Sequence, residues 1–239
     1  MSMKAVVLAG GFGTRLAHIT KDMPKPMAPV NDAPFLQYVL EHLVRGGVQE
    51  IVLAVSYKWE QIRDFFGERF EGIPVRYSVE QHPLGTGGAI LQALQQLGEQ
   101  PVIVVNGDTL FPVDLQRMFR LHNEGHALLT MAVKQVPDAQ RFGRLLVDAH
   151  NRVTGFLEKG EGGPGLINGG VYAVDCDLFR VAEFPERFSF ESDLLENHLQ
   201  EIRPQAFMSD AYFIDIGIPE DYQRAAREVG LGKGAGTVP

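Results

Sequence analysis

Apolar positions in the first half of the chain alternate between two patterns. Lys4 to Leu8, Ile51 to Val55, Val75 to Val79 and Pro101 to Val105 are short segments dominated by apolar residues, as expected of strands covered on both faces. Between the first two, Phe35, Leu36, Val39, Leu40, Leu43 and Val44 recur at helical spacing and stop at Gly46-Gly47, which predicts a helix with one buried face. Trp59 to Phe66 reads as a second helix. Gly85, Gly87 and Gly88 open a third, carrying Ala89, Ile90, Ala93, Leu94 and Leu97. Strands alternating with helices in this way predict an α/β fold with a doubly wound, mostly parallel sheet and ligands at the strand C-termini.

From Ala127 the pattern changes. Ala127 to Val133, Gly143 to Val147 and Val153 to Glu158 are strand-like and joined by short polar turns such as His150-Asn151, so a smaller antiparallel region is expected. Glu161 to Gly165, with three glycines and a proline, reads as a mobile loop. Phe188 to Asp193 precedes a helix that Ser192 or the neighbouring acidic residues are expected to cap. Tyr212 to Ile214 is a late strand, Pro219 to Val229 an amphipathic closing helix, and the glycine-rich stretch from Gly230 a flexible tail. The organisation expected is a single domain over 1–229, with residues 1–126, 127–210 and 211–229 as its successive parts and 230–239 as the tail.

With 239 residues and 45% hydrophobic content, the chain has enough apolar surface for one sizeable core. Its net charge of −8 opposes general attraction to nucleic acid or to membrane surfaces. Any anionic substrate must be met locally. The one cysteine, Cys176, excludes an intramolecular disulfide and a thiolate zinc cluster. No apolar run reaches membrane-spanning length and no leader pattern opens the chain, so a cytoplasmic location is expected.

The chemistry concentrates after the first strand, in LAGGFGTRL. Gly10, Gly11 and Gly13 allow the backbone to bend and point N–H groups at an anion, while Arg15 and Lys25 add positive charge. Pro24 and Pro26 stiffen the chain on both sides of Lys25. The spacing satisfies neither GxxxxGK[ST] nor GxGxxG, which disfavours a Walker-type ATPase or a dinucleotide enzyme. Asp108 and Asp215 each follow an expected strand, and two carboxylates near a triphosphate suit Mg²⁺, which takes one or two carboxylates together with phosphate oxygens and water. The chain has no GxSxG elbow and no HExxH, so a hydrolase reading has no nucleophile to name.

LAGGFGTRL followed by PKPM resembles the signature of the sugar-1-phosphate nucleotidyltransferases, over about residues 3–229. The resemblance implies a Rossmann-like fold of the GT-A kind and transfer of a nucleoside monophosphate to a sugar 1-phosphate with release of pyrophosphate. It assigns Arg15 and Lys25 to catalysis, and Leu8, Ala9, Gly10, Gly11, Gly13, Thr14, Glu80, Gly85 and Thr86 to the nucleotide. Gly143, Glu158, Lys159, Asn168 and Gly170 fall to the sugar phosphate, and Asp108 and Asp215 to Mg²⁺. At Glu80 a carboxylate would accept from guanine's N1–H and N2–H₂ donors, although it also suits the N3–H of uracil. Glu191 and Asp193 are further candidates on the acceptor side.

DMPKPMAPVNDAPFLQYVL, FGR at Phe142 to Arg144 and FSFESD at Phe188 to Asp193 resemble most the branch that acts on D-glycero-α-D-manno-heptose 1-phosphate with GTP. Mannose-1-phosphate guanylyltransferases and N-acetylmuramate-1-phosphate uridylyltransferases are the alternatives within the family. A non-catalytic sensor of nucleotide sugars is the alternative outside it. The short C-terminus carries no left-handed β-helix repeat and leaves a homo-oligomer open.

Overall fold

The computed structural model describes residues 2–11, 23–157, 160 and 162–229. Its elements in chain order are β1 (Lys4–Leu8), β2 (Pro29–Val30), β3 (Ala33–Pro34), α1 (Phe35–Arg45), β4 (Glu50–Val55), α2 (Trp59–Phe66), β5 (Arg69–Phe70), β6 (Ile73–Val79), α3 (Gly85–Leu94) and β7 (Val102–Asn106). There follow β8 (Thr109–Leu110), α4 (Leu115–Glu124), β9 (Leu129–Val136), β10 (Arg144–Val147), β11 (Val153–Leu157) and β12 (Gly165–Val174). A π-helical turn at Phe190–Glu196, α5 (Leu199–Ile202), β13 (Gln205–Met208), β14 (Ile214–Asp215) and α6 (Pro219–Glu228) complete it.

The parallel centre runs β7-β1-β4-β6, with β1 between β4 and β7. The order reverses at β1, so the gap beyond the ends of β1 and β7 is the switch point where ligands of open α/β sheets bind. Alternate residues of β1 serve opposite faces. Ala5 and Val7 pack with α1, α2 and α4 through Leu36, Leu40, Ile62 and Met118. Val6 packs on the other face with Ala89, Ile90 and Ala93 of α3. Both faces are therefore covered, which explains the near-continuous apolar content of β1, β4 and β7.

The strands of the second half extend this sheet. β12 pairs antiparallel with β7 through Val171–Val174, while its first residues pair with β9 and, at Leu166, with β10. Its register with β9 shifts between Asn168 and Tyr172. The region is not wholly antiparallel, because β13, which the sequence pattern did not predict, runs parallel to β9. Helix α4 was also unpredicted; Asp114 caps it by accepting from the Arg117 amide at 2.9 Å. The expected cap at Ser192 is corrected to Ser189, whose hydroxyl accepts from the Ser192 amide at 3.1 Å. In the expected loop, Gly162 and Gly163 are tied to Arg144 and Asp138, and Gly165 already begins β12. The expected tail lies outside the described residues.

Two histidines are buried in the helical layers. His122 of α4 lies with Nδ1 3.1 Å from Thr130 Oγ1, and neither its Nε2 nor that of His42 in α1 has a hydrogen-bond partner among the described residues. Burial lowers both from 6.5 to about 4. Between those values the unfolded chain binds protons that the native state refuses, so stability is complete above pH 6.5 and falls as the pH drops toward 4. Each histidine then costs the native state on the order of 3 kcal/mol. Chemical denaturation should show this loss beginning below pH 6.5, and His122→Asn, which keeps a polar group near Thr130, should remove about half of it. Unfolding free energies that stay flat from pH 6.5 to 5 would contradict the assignment.

Candidate active site

At the end of β1 the chain turns through a crowded position. The Ala9 amide donates to the Ala54 carbonyl at 2.8 Å, and Ser56 Oγ donates to the Gly10 carbonyl at 2.6 Å. A Cβ on Gly10 would sit 2.8 Å from Glu80 Oε1 and 3.1 Å from Ser56 Oγ, so a side chain there would push the Glu80 carboxylate aside. Gly11 has open space instead. The strand-end residues Leu8 and Ala9 thus lead into a turn held from β4 on one side and by Glu80, which follows β6, on the other. Gly13, Thr14 and Arg15 lie outside the described residues.

On the other side of the switch point, the Gly107 amide donates to the Leu8 carbonyl at 2.9 Å. A Cβ on Gly107 would be 2.8 Å from that oxygen, so the close approach requires glycine. The next residue is Asp108. The sequence placed Asp215 just after a strand at Tyr212 to Ile214; the strand is instead Ile214–Asp215, in a separate two-residue ladder. β14 pairs antiparallel with β8, setting Asp215 opposite Thr109, and the Ile216 amide donates to the Asp108 carbonyl at 3.0 Å. This ladder brings together two aspartates 107 residues apart in sequence.

Lys25 completes the group. It begins a single 3-10 turn, Lys25–Met27, after Pro24, and its ammonium donates to Asp108 Oδ2 and stands 3.9 Å from Asp215 Oδ1. The three side chains are partly buried, at 13%, 32% and 27% exposure for Lys25, Asp108 and Asp215. Burial, then the charge of Asp108, pushes the Asp215 carboxyl above the usual carboxylate range, with Lys25 opposing the shift. Its Oδ1 is buried and accepts no hydrogen bond among the described residues. An under-satisfied carboxylate beside a second one fits a divalent cation, which would bond both and leave room for phosphate oxygens. Among the described residues no cluster of three or more His, Cys, Asp or Glu side chains could hold a metal unaided.

The described residues that the resemblance assigns to the sugar phosphate pack against the same elements. Asn168 Oδ1 accepts from the Gly170 amide at 3.0 Å, and Asn168 Nδ2 donates to Tyr172 Oη at 2.7 Å, shaping the register shift of β12. A Cβ on Gly170 would lie 2.8 Å from Asn106 Nδ2, so this bend packs against the end of β7, two residues before Asp108. Gly143 has φ +77° and precedes β10. Its neighbour Phe142 meets Phe213 edge to face at 5.5 Å, and Phe213 meets Phe111 in the same way, bringing the Gly143 turn to the segment that leads into Asp215. Glu158 and Lys159 lie outside the described residues.

Glu80 is half-buried. Burial raises its carboxyl, opposed by the Leu84 amide, which donates to Oε2 at 3.0 Å. One oxygen therefore shapes the turn into α3, where Gly85 takes φ +72°. Thr86 is also engaged: its hydroxyl donates to Glu191 at 2.9 Å and accepts from the Phe190 amide at 2.8 Å. The sequence marked Glu191 only as an acceptor-side candidate. It also gave no role to Ser56, which no local pattern could reveal because it acts 46 positions away on Gly10.

The nucleotidyl transferase family profile matches residues 4–230. A D-glycero-α-D-manno-heptose 1-phosphate guanylyltransferase from Aneurinibacillus thermoaerophilus is 45% identical over 95% of this chain and 98% of its own. One from Campylobacter jejuni subsp. jejuni serotype O:2 is 46% identical over 92% and 97%. Among solved structures, HddC from Yersinia pseudotuberculosis complexed with GMP-PN superposes with a TM-score of 0.83 at 37% identity, covering 94% of this chain and 98% of that one.

A carboxyl raised by burial and by a like neighbour takes up a proton more readily in the native state than when unfolded, so its charged form lowers stability as the pH rises through its native value. Asp215→Asn removes that charge. In chelator-treated buffer near neutral pH it should raise Tm. The gain should shrink on acidification, as the wild-type carboxyl becomes protonated. A variant that melts below the wild type at neutral pH would contradict this.

Proposed function

The chain belongs to the nucleotidyl transferase family, and on that premise we propose that it transfers GMP from GTP to D-glycero-α-D-manno-heptose 1-phosphate, giving GDP-heptose and pyrophosphate. The observation that carries the choice of substrates is the near-full-length likeness to guanylyltransferases of that specificity. The site supports the chemistry: a turn at the end of β1, a lysine, and two aspartates meet at the switch point of the sheet.

In the reaction an oxygen of the sugar 1-phosphate attacks the α-phosphorus of GTP, a new P–O bond forms, and the bond to the β-phosphate bridging oxygen breaks. A phosphate monoester is largely dianionic near neutral pH, so no side chain has to remove a proton. The protein's work is to hold two anions in line and to stabilise the charge of the transition state. Lys25 would contribute its ammonium at the triphosphate. The family resemblance adds Arg15 there and Lys159 at the acceptor phosphate, with Glu158, Asn168, Gly170 and Gly143 around the sugar. Asp108 and Asp215 would hold Mg²⁺, which supplies Lewis-acid neutralisation of phosphate charge. Glu80, whose Oε2 accepts from the Leu84 amide, would select guanine, as the family resemblance implies.

A nucleotide-sugar sensor on this fold would not need the charged trio, and Lys25, Asp108 and Asp215 are all present and brought together. No helix among the described residues is long and apolar enough to cross a membrane. Use of GTP is consistent with a cytoplasmic reaction, and GDP-heptose is a donor suited to surface polysaccharide synthesis.

Pyrophosphate release, measured over four nucleoside triphosphates and several sugar 1-phosphates, should be fastest with GTP and the heptose 1-phosphate. Preference for mannose 1-phosphate, or equal use of UTP, would replace the substrate assignment. Asp108→Asn and Asp215→Asn should each lower kcat by about 10²-fold or more at saturating Mg²⁺ with the fold retained. Near wild-type turnover in both would remove the metal assignment. Lys25→Ala should weaken GTP binding in calorimetry, and Lys159→Ala sugar phosphate binding. A Lys159→Ala variant impaired only toward GTP would refute two separate phosphate subsites.

A further inference from the structure

Thr86 opens α3 at the turn assigned to the nucleotide, yet its hydroxyl is directed into the protein. Its single proton is committed to Glu191 Oε2 at 2.9 Å, and one lone pair receives the Phe190 amide at 2.8 Å. The acceptor is a carboxylate, which makes the bond charge-assisted and stronger than a neutral pair.

The surrounding segment lies on α3 without slack. The Phe188 amide donates to the Leu84 carbonyl and the Gly87 amide to the Phe188 carbonyl, each at 3.0 Å. A Cβ on Gly85 would overlap the Phe188 carbonyl, one on Gly87 the Phe188 ring, and one on Gly88 the Glu186 carbonyl. The glycines of this turn thus admit a segment of the protein's second half. Upstream, Leu84 is held by Glu80, the carboxylate assigned to the base.

The same segment reaches the acceptor side. Phe190 packs edge to face on Tyr172 with ring centres 5.1 Å apart, and Tyr172 Oη accepts from Asn168, which in turn holds Gly170. Burial, with the Glu191 charge nearby, drives the Tyr172 phenol well above its ordinary value and keeps it neutral as a hydrogen-bonding group. Residues 188–191 therefore touch the support of both subsites.

We infer that Glu191 is a positioning residue: by holding the Thr86 hydroxyl it fixes the first turn of α3 beside the nucleotide, and through Phe190 it ties that turn to the acceptor pocket. Glu191 also takes a long contact from the capping Ser189 hydroxyl, 3.5 Å from Oε2, but the bonds that form the cap of the Phe190–Glu196 turn are made by other groups. Ser189 accepts from the Ser192 amide at 3.1 Å, and Asp193 accepts from the Ser189 amide at 2.7 Å. Variants at Glu191 should accordingly fold.

The inference rests on the proposed reaction, so the wild-type enzyme is assayed beside Thr86→Ser, Thr86→Val, Glu191→Ala and the Thr86→Val/Glu191→Ala double variant, with GTP and heptose 1-phosphate varied separately and Tm recorded. Thr86→Val and Glu191→Ala should each raise KM for both substrates by about tenfold, the equivalent of about 1.4 kcal/mol. Tm should change little, Thr86→Ser should behave as wild type, and the double variant should be no worse than either single one. Three results overturn the inference: additive losses in the double variant, a serine variant as impaired as the valine one, or an effect of Glu191→Ala confined to the sugar phosphate while Thr86→Val is silent, which would make Glu191 a direct acceptor ligand. Variants kinetically equal to an active wild type also overturn it, whereas a wild type that turns over neither substrate refutes the reaction itself.

Discussion

The site depends on the close approach of two parallel strands at their C-terminal ends. The Gly107 amide bonds to the Leu8 carbonyl with no room between them for a side chain. That contact fixes where β7 stops relative to β1, and so where Asp108 leaves the sheet relative to the Gly10 turn. From there the β8–β14 ladder carries the position across to Asp215, and the packing of Gly170 on Asn106 carries it to the bend of β12. A larger residue at 107 would displace all three together.

Electrostatics pull against this arrangement. Two carboxylates are held side by side in a partly dry place, and Lys25 meets them from a turn stiffened by prolines. Burial, and after it the neighbouring Asp108 charge, raises the Asp215 carboxyl, so its ionised form is disfavoured there. A protein shaped only for stability would dispense with one of the acids. Keeping both favours ligands that bring cationic charge, and stability is given up where chemistry is done.

Much of this was legible in the sequence because it is local. The unbroken apolar content of Lys4 to Leu8 and the helical spacing from Phe35 to Val44 match β1 and α1 closely. The LAGGFGTRL and PKPM motifs pointed to the family that the profile identifies. What was missed depends on partners distant in the chain. β13 is short and its neighbour β9 lies some 70 positions away, so nothing in QAFM announces a parallel pairing. α4 is the exception, legible but not recognised: Asp114 caps it, and Leu115, Met118, Phe119 and His122 recur at helical spacing on its buried face. Asp215 looked like the residue that follows a strand because Phe213 and Ile214 are apolar, whereas Phe213 serves an aromatic cluster and only two residues form the ladder. Ser189 rather than Ser192 caps its turn because Asp193 reaches back to the Ser189 amide, a geometry that a π-helical turn allows.

β12 joins both halves of the chain at once: Val171–Val174 are hydrogen-bonded to β7 of the first half, and Gly165–Asn168 to β9 of the second. Although β12 bends at Gly170, β9 pairs with it on both sides of the bend, at Gly165–Asn168 and again at Tyr172–Val174, which makes it a beam rather than a hinge. Hinged closure of two lobes around bound substrates would have to break main-chain hydrogen bonds of the central sheet. Adjustment to different acceptors is thereby left to the turns attached to the beam, where side chains can be exchanged without disturbing the frame that aligns the phosphates.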